Sequence, residues 1–176
     1  MRSSELRILG TEMPEPVVAA RAEGTAPELR FLVQVENPGG ESLYVWASRR
    51  GYDYDPATRV LTVYLTDHKP DPPSGIVIIS KHPRTPAQVV VEPRRQASIE
   101  VLVPAVIRRR VPGTGLGMSF VEEPIGPIER IDLHVQYANA PLESRVGEGP
   151  DEHQQRLRAH GQVMRATLTP TRSKDL

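Results

Sequence analysis

Cysteine is absent from the chain. That excludes disulfides, thiolate nucleophiles and every metal centre that needs a thiolate, from zinc ribbons to blue copper. Net charge is absent as well: 22 basic residues balance 22 acidic ones. No global field therefore favours nucleic acid or an anionic membrane. No stretch comes near the roughly 20 consecutive apolar residues that a spanning helix needs, and the first residues lack the apolar run of a secretory leader. The expectation is a cytoplasmic protein with no cofactor. Lysine is scarce, at Lys69, Lys81 and Lys174 only, against 19 arginines. Coding bias accounts for that as readily as function does. Long helical periodicity is missing too.

What is present is strand. Proline is abundant at 18 residues, spread between short apolar runs, which favours strands and loops over helices. A chain of 176 residues buries about 70% of its unfolded surface and needs no staple. Residues 28–37, 42–48 and 59–66 read as three consecutive antiparallel strands. In the first, Leu29, Phe31, Val33 and Val35 alternate with mostly polar neighbours, which sets a core face. Asn37-Pro38-Gly39-Gly40 ends it with a turn signal. Residues 43–47, around Trp46, are apolar on both faces, as in a central strand. Asp55-Pro56-Ala57-Thr58 reads as a type I turn. Residues 17–22 supply a first strand, 76–79 a short one, and 88–92 with 97–103 a hairpin turned by Pro93 to Gln96. Residues 128–138 and 162–169 supply the last strands. The connections 67–86, 104–127 and 139–159 are long, and 151–158 is polar enough to form at most a short solvated helix. The domain plan is an arm at 1–15, a β-sandwich at 16–169 and an unstructured tail at 170–176.

Seven to nine strands between turn signals predict an all-β fold, an antiparallel two-sheet sandwich. Val33 or Val35 on an early strand, Trp46 on the next and Val135 on a late one give the pattern a resemblance to the immunoglobulin-like Greek key. The resemblance implies that valines stand where that fold has its inter-sheet cysteines, and that Trp46 packs on them. Phe31, Val33, Val35, Trp46, Leu133 and Val135 are the expected core anchors.

Site chemistry is sparse. His68, His82, His134, His153 and His160 are too widely spaced to predict a metal centre, and no metal is assigned. Asp53 and Asp55, alternating with Tyr52 and Tyr54, could offer oxygens to calcium, but turn capping explains Asp55 as well. Gly113-Thr114-Gly115-Leu116-Gly117 lacks the Lys-Ser/Thr of a phosphate loop and reads as a mobile loop. No Gly-x-Ser-x-Gly elbow marks a serine hydrolase, and no catalytic residue is assigned. The arginine clusters are the candidate partner-binding residues: Arg49 and Arg50, Arg94 and Arg95, and Arg108, Arg109 and Arg110. Two of them sharing one end of a sandwich would suit an acidic partner or a phosphate group. Local pairing with Glu92, Glu100, Glu122 and Glu123 is the plainer alternative. The expected function is non-catalytic: an interaction or accessory module that docks another protein through an edge strand or through the loops 104–127 and 139–159. An edge strand also allows a homo-oligomer. A small-ligand or metal-binding sandwich is the alternative, and a hydrolase comes last.

Overall fold

The computed structural model describes residues 15–23, 28–49, 51–67, 85–113, 117–169 and 171–172. The strand expected at 76–79 lies outside them, as do His68, His82 and Arg50. In chain order the first elements are β1 (Val17–Glu23), β2 (Glu28–Glu36), β3 (Leu43–Trp46), β4 (Gly51–Asp55), β5 (Val60–Leu65), β6 (Gln88–Val91) and β7 (Gln96–Pro104). There follow β8 (Val106–Pro112), β9 (Met118–Pro124), β10 (Arg130–Ala138), α1 (Pro150–Ala159), β11 (Gln162–Leu168) and β12 (Thr171–Arg172). The fold is all-β with one short helix, as expected, and it has more strands than expected: twelve among the described residues.

One sheet runs in the order β12-β1-β2-β7. Its last strand, at Thr171 and Arg172, begins the stretch expected to be unstructured and pairs in parallel with β1. The second sheet is organised around β10. Along one edge β10 pairs antiparallel with β11, from Ile131↔Leu168 to Tyr137↔Gln162. Along the other it pairs in parallel with β5, from Arg130↔Val60 to Val135↔Leu65. It then pairs antiparallel with β3, at Tyr137↔Val45 and Ala138↔Tyr44. β4 extends the sheet from β5, and β6 extends it from β3. A third sheet consists of β8 and β9 alone.

This pairing corrects the expectation of three consecutive antiparallel neighbours. β2 pairs with β1 and β7, not with β3, and β3 lies in the other sheet. Asn37 supplies the physical reason. Its fully buried side chain donates from Nδ2 to Glu41 O at 2.7 Å and to Val91 O at 2.9 Å, and its Oδ1 accepts from Gly39 N–H at 2.9 Å. Its backbone N–H reaches Arg95 O at 2.9 Å, while its own carbonyl accepts from Arg94 N–H at 3.1 Å. The short connection is thus pinned as a corner between sheets, where a hairpin was expected. The same corner separates β6 from β7, which share no ladder although their turn is tight (Arg95 N–H to Glu92 O, 3.1 Å).

Between the two larger sheets lies one core. Phe31, Val33 and Val35 of β2 and Ile99, Val101 and Val103 of β7 belong to one cluster with Leu61, Val63 and Leu65 of β5 and Ile131, Leu133 and Val135 of β10. Strict alternation on each strand produces this face. On β3 the cluster takes Leu43 and Val45, so Tyr44 and Trp46 face the other way. Trp46 is fully buried on that opposite face, away from the cluster that holds Leu43 and Val45. In the β3–β6 ladder it is opposite Gln88, and the β3–β10 register carried on by one residue brings it level with Gln136.

Parts of residues 139–160, α1 among them, meet that second face: Gln136 Nε2 donates to Leu157 O and His160 O, and Gln88 Oε1 accepts from Leu142 N–H. Pro150 opens the helix, Asp151 and Glu152 occupy its first turn, and Arg156 and Arg158 its last, an arrangement that complements the helix dipole. His153 and Leu157, four residues apart, form a buried stripe. The helix is therefore not merely solvated, as its composition suggested.

Candidate functional site

Two places outside the core have features that a purely structural account leaves over. The first is the β8–β9 ribbon. Its base is tied by Ile125 N–H to Ala105 O at 2.7 Å and by the buried side chain of Ile107. Its tip closes through Gly113 N–H to Gly117 O at 3.2 Å. A Cβ on Gly113 would lie 2.7 Å from that oxygen, so glycine is what permits the turn. Within residues 104–127, read from sequence as a long loop, Val106–Pro112 and Met118–Pro124 thus pair as a regular antiparallel ribbon, while Thr114, Gly115 and Leu116 of the expected mobile centre lie outside the described residues. The register sets Arg108 opposite Glu122, Arg109 opposite Val121 and Arg110 opposite Phe120.

The ribbon exposes apolar surface. Phe120 is 51% exposed and Val121 is 41% exposed. Adjacent residues of a strand face opposite sides, so Phe120 and Val121 expose apolar surface on opposite faces of the ribbon. Val106 adds a third exposed apolar side chain near the base. Among the described residues neither strand pairs with any other, so each keeps one backbone edge without a ladder partner. Such edges are templates for pairing with another chain.

The second place is the outer face of the β10 sheet, turned away from the core. β11, β10 and β5 set Arg165, His134 and Tyr64 in one row, and Thr167, Asp132 and Thr62 in the next. His134 meets Tyr64 edge-on at 4.9 Å between ring centroids. Burial, and after it the Arg165 guanidinium, pushes His134 below its ordinary 6.5. Burial, and after it the Asp53 carboxylate, pushes the Tyr64 hydroxyl up. Asp132 is held by Arg130, at 3.1 Å from Nε and 3.2 Å from Nη2, and accepts from Thr167 Oγ1 at 3.3 Å.

Beside this row the buried groups are joined to one another. The side chain of Gln136 uses all of its hydrogen-bonding capacity. Nε2 donates to Leu157 O at 2.6 Å and His160 O at 2.8 Å, and Oε1 accepts from Thr66 Oγ1 at 2.7 Å and Asp67 N–H at 3.1 Å. Glu148, just before α1, receives a bidentate pair from Arg156 at 2.6 and 2.8 Å, and its Oε2 lies 2.9 Å from His153 Nδ1. The Arg156 bonds, outweighing the opposing effect of burial, hold the Glu148 carboxyl down at about 2. Among the described residues, three buried nitrogens find no partner: Trp46 Nε1, Gln88 Nε2 and His153 Nε2.

Of the arginine clusters, Arg94 and Arg95 are set apart from the other two. Arg94 and Arg95 lie before β7 and Arg108 to Arg110 on β8 after it, so a nine-residue strand stands between them. Arg49 follows β3 beyond its Gln88 end, whereas Arg94 follows β6 beyond its Leu43 end. The Arg49 guanidinium stacks on Tyr52 at 4.6 Å from the ring centroid. Asp55 caps its turn by accepting from Ala57 N–H at 3.0 Å and Thr58 Oγ1 at 2.7 Å. Asp53 accepts from Tyr54 N–H at 2.8 Å. His160 Nε2 lies 3.0 Å from Ala140 O. Among the described residues no group of three or more His, Cys, Asp or Glu could hold a metal ion, and no helix is long and apolar enough to cross a membrane. Sequence reading passed over Phe120 and Val121. The alternation flanking Gly113 and Gly117 was the available signal for the ribbon. Compared with protein-family models, curated proteins and solved structures, the chain matches none.

Proposed function

We propose that this chain is a non-catalytic interaction module, cytoplasmic, that docks another protein through the β8–β9 ribbon. The partner contributes an extended strand that adds to one edge of the ribbon and covers Phe120 or Val121, the β-augmentation mode of recognition. The observation that carries this reading is the apolar exposure of Phe120 and Val121 on opposite faces of a two-stranded sheet. A ribbon of two strands is marginal by itself, and an added strand supplies both backbone bonds and apolar cover. We read the scaffold as an immunoglobulin-like sandwich, supported by the single core shared by the two larger sheets. Balanced charge supports a protein partner over nucleic acid.

The test is photocrosslinking in the native cell, with a benzophenone side chain introduced at Phe120 and, separately, at the exposed Thr167 on β11. A discrete adduct formed from position 120 and not from 167, and lost when Val121→Asp is added, is the expected result. Adducts from both positions, or from neither, would overturn the proposal. An adduct of twice the chain mass would replace the partner protein with a second copy.

A further inference from the structure

Most edge strands of this fold carry charge. β4 has Asp53 and Asp55, β7 has Glu100 and β11 has Arg165, all exposed. In the ribbon, β8 has three arginines and β9 two glutamates. Charged residues on an edge strand oppose the addition of another strand. β6, which ends the second sheet beyond β3, has none: it reads Gln88-Val89-Val90-Val91. Val90 is 50% exposed there. We propose that β6 pairs with β6 of a second copy of this chain, antiparallel across a two-fold axis at Val89, so that two sheets join into one. The proposal stands independently of the ribbon and goes beyond the docking of a partner protein.

The β3–β6 ladder decides which backbone groups the edge offers. Ala47 N–H donates to Ala87 O at 2.8 Å, and the pairing continues in the same register to Leu43↔Val91. Bonded and non-bonded pairs alternate along an antiparallel ladder. Val89 is therefore bonded to Val45, whereas the backbone N–H and C=O of Gln88 and Val90 point to the open edge. Among the described residues no strand pairs with that edge. An axis at Val89 sets Gln88 opposite Val90 of the second copy and Val90 opposite its Gln88. All the outward groups of the two strands then bond to one another. An axis at Gln88 or at Val90 would match only one of these two residues with its like and leave the other without a partner on β6.

The occupant follows from the same features. A two-fold contact needs a surface complementary to itself, and a strand with no charge opposes no like charges when it meets its own copy. Charge on β6 that would select a foreign strand is missing. Net charge is zero, so whole molecules do not repel one another. Val89 and Val91 face the core on one side of the sheet. On the other side Val90 is opposite Tyr44 of its own β3, and in the pair it gains Gln88 of the second copy as its other neighbour. The half-exposed valine is thereby covered on both flanks.

The experiment is sedimentation equilibrium of the full chain over a concentration series, at low and at high salt. Expected is a mass that rises to twice that of the chain and does not depend on salt, since no charge takes part. Val90→Lys and Val90→Glu should each stay monomeric over the same series. The site is half exposed, and thermal unfolding verifies that both variants fold. An equimolar mixture of the two should recover the double mass, because residues 90 of the two copies are diagonal neighbours across the axis. Leu102→Lys, at a comparably exposed apolar residue on β7, should leave the mass as in wild type. A wild-type chain that stays monomeric, or Val90 variants that keep the double mass, would overturn the pairing. Loss of the double mass in Leu102→Lys would move the contact to β7 and overturn it at β6. A mixture that stays monomeric would overturn the antiparallel register about Val89.

Discussion

The helix α1 and the β8–β9 ribbon both lie outside the main core, and they are secured in opposite ways. α1 is held by buried polar groups: Gln136 spans from β10 to its last carbonyls, and Glu148, Arg156 and His153 join its ends. The ribbon is held mainly at its base and carries exposed apolar side chains. Burying polar groups is costly unless each one is paired, so the α1 layer has one satisfactory arrangement and few alternatives. Exposed apolar groups contribute little to the fold, and under the docking proposal a partner would bury them. The contrast separates a part that fixes the fold from the part to which the proposed docking is assigned.

The largest expected effect lies in the α1 layer. Trp46→Ala removes the largest fully buried side chain, level with Gln136 on the face of β3 turned away from Leu43 and Val45, and should cost ~3–5 kcal/mol. Thermal unfolding should fall by about 10 °C for a chain of this size. A shift of a degree or two would show that the layer contributes little and would erase the contrast with the ribbon. Gln136→Leu should come next, at about 3 kcal/mol. The volume is retained, but the four hydrogen bonds from Gln136 to two helix carbonyls, the Thr66 hydroxyl and the Asp67 N–H are lost together. Denaturant unfolding checks it, and a near-neutral Leu variant would mean that water reaches this layer.

How much of this the sequence reveals depends on how far apart the partners are. β2, β5 and β10 are legible because Phe31-Val33-Val35, Leu61-Val63-Leu65 and Ile131-Leu133-Val135 alternate locally. The pairing of β2 with β7, Phe31 opposite Val101, is not legible, because period-2 patterns carry no address. Tyr52 and Tyr54 also alternate, with Asp53 and Asp55, and β4 was hidden only by the turn signal beside it. His153 and Leu157 mark a helix face at spacing four once α1 is drawn. The buried role of Glu148 is not readable, since a carboxylate beside Gly149 and Pro150 looks like any solvated loop acid. At the outer face, His134 could be placed on an alternating strand, whereas its approach to Tyr64 and Arg165 depends on which strands flank β10.

Acid separates the two regions further. In the unfolded chain Glu148 titrates near its ordinary 4.5, and in the folded chain at about 2. Between these values the unfolded chain binds more protons. The stability contributed by Glu148 is therefore complete above 4.5 and is lost as pH falls towards 2. Glu148→Gln lacks this titration. The gap in urea midpoint between wild type and variant should be constant above 4.5 and should narrow steadily down to 2. A gap that does not change over that window would place the acid-sensitive interaction elsewhere.

The smallest effect on stability is expected at the most conspicuous apolar residue. Phe120→Ser removes a ring that is already half in water, so folding regains little by burying it. The change in unfolding free energy should stay within ~0.5 kcal/mol. The same substitution should abolish crosslinking through Val121, because an added strand needs apolar cover on the face it meets. Stability and docking are then separable at one residue, which Trp46 and Gln136 do not allow. A loss above ~1 kcal/mol on Phe120→Ser would mean that the ring packs on the body of the protein. The ribbon would then be another layer of the fold, with nothing left over for a partner to cover.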